Sequence, residues 1–278
     1  MNQALKLFVY CLLLAVVLVY LFVSAPPPLA ENIQGKTLPS RLALELLQQE
    51  NAHVRELYTK EIVGEGKKRK INFSEDWKLA EIHAGLLPAQ FLRETARYLE
   101  RSKVHLGLFL GSDYAINQAN QFEGEQKVVF EKMKYTREAV YFYYPDAQRY
   151  TYMFPDVAVV NACVDCHNDH ENSPKNDWRL NDVMGATTWT YPQERITVDA
   201  FLQMLTVLRQ GFRVAYEQFL GEIEKMPVPP KIGDHWPREG YYVPSADQFM
   251  QEVRNRSSVS TLNRLMLSMI ESDKEEQP

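Results

Sequence analysis

Two of the three cysteines and two of the six histidines lie within ten residues, in the segment NACVDCHNDH at 161–170. Cys163, Cys166 and His167 form the pattern C-x-x-C-H, which is typical of covalent haem attachment. On a helical turn, positions i, i+3 and i+4 face one side, so two thiols can meet the haem vinyl groups while the imidazole meets the iron. The motif therefore predicts one haem c, with thioether bonds at Cys163 and Cys166 and His167 as the proximal iron ligand.

Other chemistries would use the same residues. A zinc ion could take Cys163, Cys166 and His170, with His167 or a remote residue as the fourth ligand. Structural zinc sites usually bring a second ligand pair, and the sequence has none that is recognisable. A redox dithiol would begin a helix after a strand in a βαβ unit, whereas this motif follows a predicted hairpin. A plain disulfide is the remaining alternative, and the spacing favours haem over all three.

The sixth iron ligand decides whether the iron can bind a gas or mainly transfers an electron. His53 lies on the apolar stripe of the first predicted helix and is the leading candidate for this distal position. Met153 and Met184 are the alternatives, although methionine is also a common filler of hydrophobic cores. His170 is too close to His167 to reach the opposite face of the haem.

The N-terminal segment contains seventeen apolar residues at 7–23, without a charge or a helix breaker. Such a run is at the lower limit for spanning a bilayer and longer than a usual signal-peptide core. We expect residues 1–30 to be a membrane anchor and spacer, with a cleaved signal as the alternative. Lys6 before the run and Glu31 after it place the N-terminus in the cytoplasm. This predicts a single-pass protein of the bacterial inner membrane with its haem domain in the periplasm.

The remaining chain has alternating helical and strand patterns. Helical periodicity or a helical capping box marks four segments: 40–63, 87–102, 198–225 and the segment that begins at Ser245. Aromatic and β-branched runs predict four strands, of which the middle two form a hairpin: 104–110, 139–144, 149–154 and 184–191. We interpret GEGKKRK at 64–70 as the end of the first helix and a solvated loop. These elements predict an α+β domain at 31–226, then a proline-rich loop and a C-terminal helical extension at 227–278.

Four stretches carry a resemblance to a known family: LLPAQFLRETA, LFLGSDYAINQANQF, YTYMFPDVAVVNACVDCHNDHENSPKNDWRLNDVMGATTW and PPKIGDHWP. Over about residues 40–240 the chain resembles the PAS-like c-type haem-binding sensor family, formerly a domain of unknown function. The resemblance implies a PAS-like antiparallel sheet flanked by helices, placed here after an N-terminal transmembrane helix, and His167 as the proximal ligand. In that family the distal ligand comes from the first helix and is a cysteine in the structurally known member. This chain has no cysteine there, and His53 stands in about the corresponding place.

The function that the resemblance implies is a redox or small-gas haem sensor, and an electron-transfer cytochrome c is the alternative. We expect no enzyme, because the chain has no G-x-S-x-G, P-loop or H-E-x-x-H motif. A net charge of -5 and a pI near 5.8 exclude a basic footprint for nucleic acid. Only a short acidic tail follows the last helix, so we expect a separate signalling or redox partner protein. The last helix also offers a homodimer surface with four apolar side chains: Leu262, Leu265, Met266 and Met269.

Overall fold

The structure, a computed structural model, describes residues 3, 10–17, 20, 36–79 and 81–275. The chain divides into two compact units, Met1–Lys36 and Thr37–Pro278. In the first unit, residues 10–17 are helical and their side chains are exposed. All the elements below belong to the second unit.

The first helix of the second unit, α1, spans Ser40–Leu57. Helical structure continues after it into the basic segment at 64–70, where we predicted that the helix would end. It continues as a π-helical segment, Tyr58–Gly64, and then as a short helix α2, Glu65–Lys68. Their composition led us to expect that the glycines and lysines of this segment would end the helix. The helix instead continues through them. Glycine tolerates helical dihedrals, and Ile62 and Val63 are buried, so packing holds the segment in a helical form.

Five further helices follow along the chain: α3 (Pro88–Glu100), α4 (Gly124–Thr136), α5 (Asn161–Asp169), α6 (Val198–Ile223) and α7 (Ala246–Glu275). Helices α3 and α6 confirm the two predictions from periodicity. The capping box before α7 is also confirmed, because the Gln248 backbone N–H donates to Ser245 Oγ at 3.2 Å. Within α7, Leu265 is buried and Met266 is exposed. The side chains of Leu262 and Met269 lie outside the described residues, so the homodimer surface stays a prediction.

The described strands form three small sheets. Their bounds are β1 (Thr37–Pro39), β2 (Phe73–Ser74), β3 (Gly85–Leu86), β4 (Gly107–Gly111), β5 (Val140–Tyr144), β6 (Arg149–Val157), β7 (Val183–Tyr191) and β8 (Arg195–Thr197). The largest sheet is antiparallel, with strand order β4-β7-β6-β5. The predicted hairpin is confirmed, with Tyr144 opposite Arg149 and Val140 opposite Met153. Strands β1 and β8 form an antiparallel pair, and β2 and β3 form a parallel pair.

Helices cover both faces of the four-stranded sheet. On one face, Gln48 of α1 accepts a hydrogen bond from Trp189 Nε1 at 2.7 Å. On the other, a buried cluster joins Met153 and Ala186 of the sheet to Phe130 of α4. We call the face of the sheet covered by α1 the α1 face and the face covered by α4 the α4 face. Side chains alternate between the two faces along a strand, so each side chain of β6 lies on one of them.

A buried ion pair ties α1 to the two long C-terminal helices. Glu50 is fully buried and accepts hydrogen bonds from Arg209 Nε at 3.1 Å and from an Arg209 terminal nitrogen at 2.8 Å. Thr261 Oγ1 of α7 donates to the same carboxylate at 2.8 Å. A buried carboxylate is tolerated when it is paired and hydrogen-bonded in this way. The contact fixes α1 against α6 and α7.

The fold class predicted from the sequence is wrong. In the part of the chain that the structure describes, no helix combines the length and apolar character needed to cross a membrane. Of the run at 7–23, residues 10–17 and 20 are described, and the rest of the predicted anchor lies outside the described residues. The four predicted strands do form one antiparallel sheet, and the described residues also contain two two-stranded sheets, one of them parallel. The fold is mixed α/β with small sheets.

Candidate functional site

The C-x-x-C-H motif lies on α5, which follows β6 and precedes β7, the two longest strands. Beyond β6, Ala158 exchanges backbone hydrogen bonds of 2.9 Å with Asn181 and Asp182, which lead into β7. This closure fixes the point where α5 begins. Because α5 is helical from Asn161 to Asp169, Cys163, Cys166 and His167 occupy positions i, i+3 and i+4 and share one side. The helical placement of the motif is therefore as predicted.

His167 is prepared to act as a neutral ligand. Its Nδ1 atom is buried and has no hydrogen-bond partner among the described residues. Burial lowers the pKa of His167, and the carboxylates of Asp156 and Glu75 only partly oppose that shift. The imidazole is therefore mainly neutral at pH 7, which is the form that can bind a metal. A buried polar atom without a protein partner is uncommon and calls for an explanation.

The two thiols of the motif are free. Cys163 and Cys166 form no disulfide. Burial raises the pKa of the Cys166 thiol, and the nearby Glu75 carboxylate adds to the effect. Reactive dithiols have lowered pKa values, so this environment does not support the redox alternative. Two free thiols beside a neutral imidazole fit a haem with two vinyl groups.

The zinc alternative gains no support from the side chains around the motif. In the described residues, no three His, Cys, Asp or Glu side chains are grouped so that they could hold a metal ion. His170 Nδ1 accepts the Asn172 backbone N–H at 3.1 Å, and its Nε2 lies 3.5 Å from Glu75 Oε2. His170 is thus already bound by its neighbours. A haem needs no such group, because it requires only one or two axial ligands from the protein.

A side-chain clamp holds the loop after α5 against the motif. Asn168 Nδ2 donates to the Trp178 carbonyl at 3.1 Å, and the Trp178 N–H donates to Asn168 Oδ1 at 2.8 Å. Trp178 is 5% exposed, and its ring meets the His167 ring edge to face, with centroids 6.5 Å apart. The clamp therefore orients the imidazole through Trp178.

Aromatic contacts continue from His167 to the protein surface. The rings of Trp178 and Tyr114 meet edge to face with centroids 5.8 Å apart, and Tyr114 is 38% exposed. Two cations lie over these rings: Lys175 Nζ is 4.8 Å from the Trp178 centroid, and Lys134 Nζ is 5.5 Å from the Tyr114 centroid. The His167 imidazole is thus connected through Trp178 to the partly exposed ring of Tyr114, and both lysines are paired with carboxylates.

An ion pair with Arg55 positions the Asp156 carboxylate, whose charge acts on the pKa of His167. Arg55 of α1 contacts Asp156 Oδ2 at 2.8 Å and donates to Thr187 Oγ1 at 3.2 Å. Both partners lie on the α1 face of the sheet. Arg55 therefore locks Asp156 at the end of β6, close to the start of α5.

No described contact joins His53 to the motif, and His53 lies on a different side of α1 from Arg55. Successive residues of an α-helix are about 100° apart, so His53 and Arg55 lie about 200° apart around α1. Arg55 faces the sheet and Asp156, whereas His53 is partly buried on another side and acts electrostatically on Glu56. His53 as the sixth ligand therefore stays a prediction, which the orientation of α1 does not support.

The two methionine alternatives have no described contact with His167. Met153 is fully buried in the core cluster on the α4 face, whereas Asp156, three residues along β6, lies on the α1 face. Met184 is partly exposed in β7, and its carbonyl accepts a hydrogen bond from Ser112 Oγ at 2.5 Å. No described contact places either sulfur at the iron position.

Sequence reasoning missed the residues that support the motif: Arg55, Glu75, Asp156, Asn168 and Trp178. Arg55 and Asp156 are 101 residues apart, and no local pattern indicates their contact. Asn168 and Trp178 are only ten residues apart. An asparagine directly after the motif, followed by a tryptophan in a polar loop, was the one signal available.

The segment that builds this site matches a known family. Residues 40–192, from the start of α1 to the end of β7, match the model of the Tll0287-like family, and these 153 residues are more than half of the 278-residue chain. No curated protein and no solved structure matches the chain. The match includes the whole motif and its clamp. The chain belongs to the Tll0287-like family.

Proposed function

We propose that this protein binds one haem c covalently and works as a redox or small-gas sensor. The observation that carries the proposal is the placement of the half-buried His167 on one helical side with two free thiols. Haem attachment through C-x-x-C-H uses these three groups at this spacing. No catalytic group is part of the proposal.

Each residue has a defined task. Cys163 and Cys166 would form the two thioethers, and His167 would be the proximal ligand. The bound haem supplies a one-electron couple and an iron atom able to take a diatomic gas. Trp178 holds the imidazole plane, and the Asp156 carboxylate near His167 favours the more positive, oxidised state of the site.

The proposed location is the periplasm, because haem is attached to such motifs outside the bacterial cytoplasm. The sensor or redox signal would pass to a separate partner protein. The partly exposed ring of Tyr114 is the side of this site that a partner could reach.

The sensor role is supported by the position of the predicted sixth ligands. His53 points to another side of α1, and Met153 is packed in the core on the opposite face of the sheet. A sixth iron position without a protein ligand can bind carbon monoxide or nitric oxide. Carbon monoxide added to the reduced protein should shift the haem absorption bands. An unchanged spectrum would overturn gas sensing.

The covalent assignment is tested by variants of the motif. The double variant Cys163→Ala, Cys166→Ala should lose haem staining after denaturing electrophoresis. The control Cys11→Ala changes the remaining cysteine, which lies in the other unit, and should keep the stain. Staining that survives in the double variant would refute the assignment.

Electron transfer is the second candidate, and the aromatic path from His167 through Trp178 to Tyr114 favours it. In that role one electron leaves the ferrous iron for a partner and returns from a donor. Ascorbate should reduce the ferric protein more slowly after Tyr114→Ala, which removes the exposed end of this path. Rapid, reversible reduction in a protein that takes no carbon monoxide would make electron transfer the function.

A further inference from the structure

A cleft of about 430 Å³ lies in the second unit, and no residue of the C-x-x-C-H motif lines it. Three segments line it: the end of α2 with residues 68–71, the proline-rich stretch 226–231, and residues 240–242. Concave sites for small molecules have volumes of about 300–1,000 Å³. The cleft is therefore large enough for a small organic ligand.

The charged side chains that line the cleft are all cations. Lys68, Arg69 and Lys70 come from the end of α2, and Lys231 comes from the proline-rich stretch. Lys68 pairs with Glu65 outside the cleft at 2.6 Å. The other three have no described carboxylate within salt-bridge distance, in a chain whose net charge is -5. Clustering cations without counter-charges costs free energy, which an anionic ligand would recover.

The remaining walls are apolar or aromatic. Ile71 is 6% exposed at the base of the cleft, and Met226 and Pro229 form the facing side. The Arg69 guanidinium lies over the Tyr242 ring, 3.2 Å from its centroid. A stacked guanidinium keeps its N–H groups in a fixed plane, which suits two-point binding of a carboxylate or phosphate.

We propose that this cleft binds a small organic anion with at least two negative charges and an apolar body. The basic run at 64–70 is then part of a binding site and not a solvated loop, since Lys231 joins it from a distant segment. The four cations would neutralise the charged groups, and the apolar walls would contact the body. The proposal does not depend on haem attachment.

Phthalate is a suitable probe, because it carries two carboxylates on an aromatic ring. Isothermal titration of the full chain at pH 8 and low salt should give saturable binding, about tenfold tighter than inorganic phosphate, which lacks the apolar body. Lys231→Ala and Arg69→Gln should each weaken phthalate binding about tenfold. The control Lys132→Ala removes an equal charge from the exposed surface of α4 and should bind like the parent protein.

Three outcomes would overturn the proposal. The first is no saturable heat with phthalate or phosphate. The second is equal binding by the Lys231→Ala, Arg69→Gln and Lys132→Ala proteins, each checked for the parent circular dichroism spectrum. The third is binding to anionic phospholipid vesicles without binding of phthalate, which would make the patch a membrane contact.

Discussion

The clamp between Asn168 and Trp178 yields a prediction whose size follows from its two hydrogen bonds. Asn168→Ala removes the bonds of 3.1 and 2.8 Å to the Trp178 backbone. Each contributes about 1 kcal/mol net, so the loop should lose about 2 kcal/mol of local stability. Because 1.4 kcal/mol is a factor of ten, the Trp178 amide should exchange its hydrogen about 30-fold faster.

Hydrogen exchange of the Trp178 amide, followed by nuclear magnetic resonance, is the assay. Asn172→Ala is the matched control, because Asn172 is exposed and its side chain makes no hydrogen bond among the described residues. The control should exchange like the parent protein. Equal Trp178 exchange rates in the parent and Asn168→Ala proteins would refute the clamp as the element that holds Trp178 on His167.

Three further predictions concern stability and ligation. Gly185→Ala places a Cβ 2.5 Å from a backbone oxygen of β4 and should lower the free energy of unfolding by about 2 kcal/mol. Gly221→Ala adds a Cβ in open space on α6 and should raise the free energy of unfolding by up to about 1 kcal/mol. Urea unfolding that ranks the two variants in the opposite order would contradict this. Glu50→Gln leaves the Arg209 charge facing a neutral amide and should cost about 3 kcal/mol in the same assay, and a loss below about 0.5 kcal/mol would be inconsistent with the buried ion pair. His53→Ala should leave the absorption and electron-paramagnetic-resonance spectra of the haem-loaded protein unchanged, and conversion from six- to five-coordinate iron would restore His53 as the distal ligand.

The elements predicted correctly are those with strong local signals. The β5–β6 hairpin follows from two aromatic runs around a Pro-Asp turn, and the α7 start follows from the capping box at Ser245. Helix α4 escaped prediction because only Phe130 and Met133 of its thirteen residues are buried, too few to produce an apolar period. The helical continuation from Gly64 into α2 escaped prediction because tertiary packing overrides the glycine signal there.

The candidate site also has one part that local sequence predicts and another that it does not. Cys163, Cys166 and His167 are recognisable because their chemistry depends on spacing within five residues. Their surroundings depend on contacts between distant segments, such as Arg55 with Asp156, and no local pattern encodes these. His53 illustrates what periodicity cannot predict. The apolar pattern of the helix indicates that His53 is partly buried, but only the packed structure shows which neighbours it faces.

Covalent haem is the central claim, and acid-acetone extraction followed by a pyridine haemochrome spectrum tests it most directly. The protein should be expressed with a cytochrome c maturation system and purified before extraction. The account predicts that one thioether-linked haem per chain stays with the protein. A protein fraction without haem absorbance after extraction would contradict it.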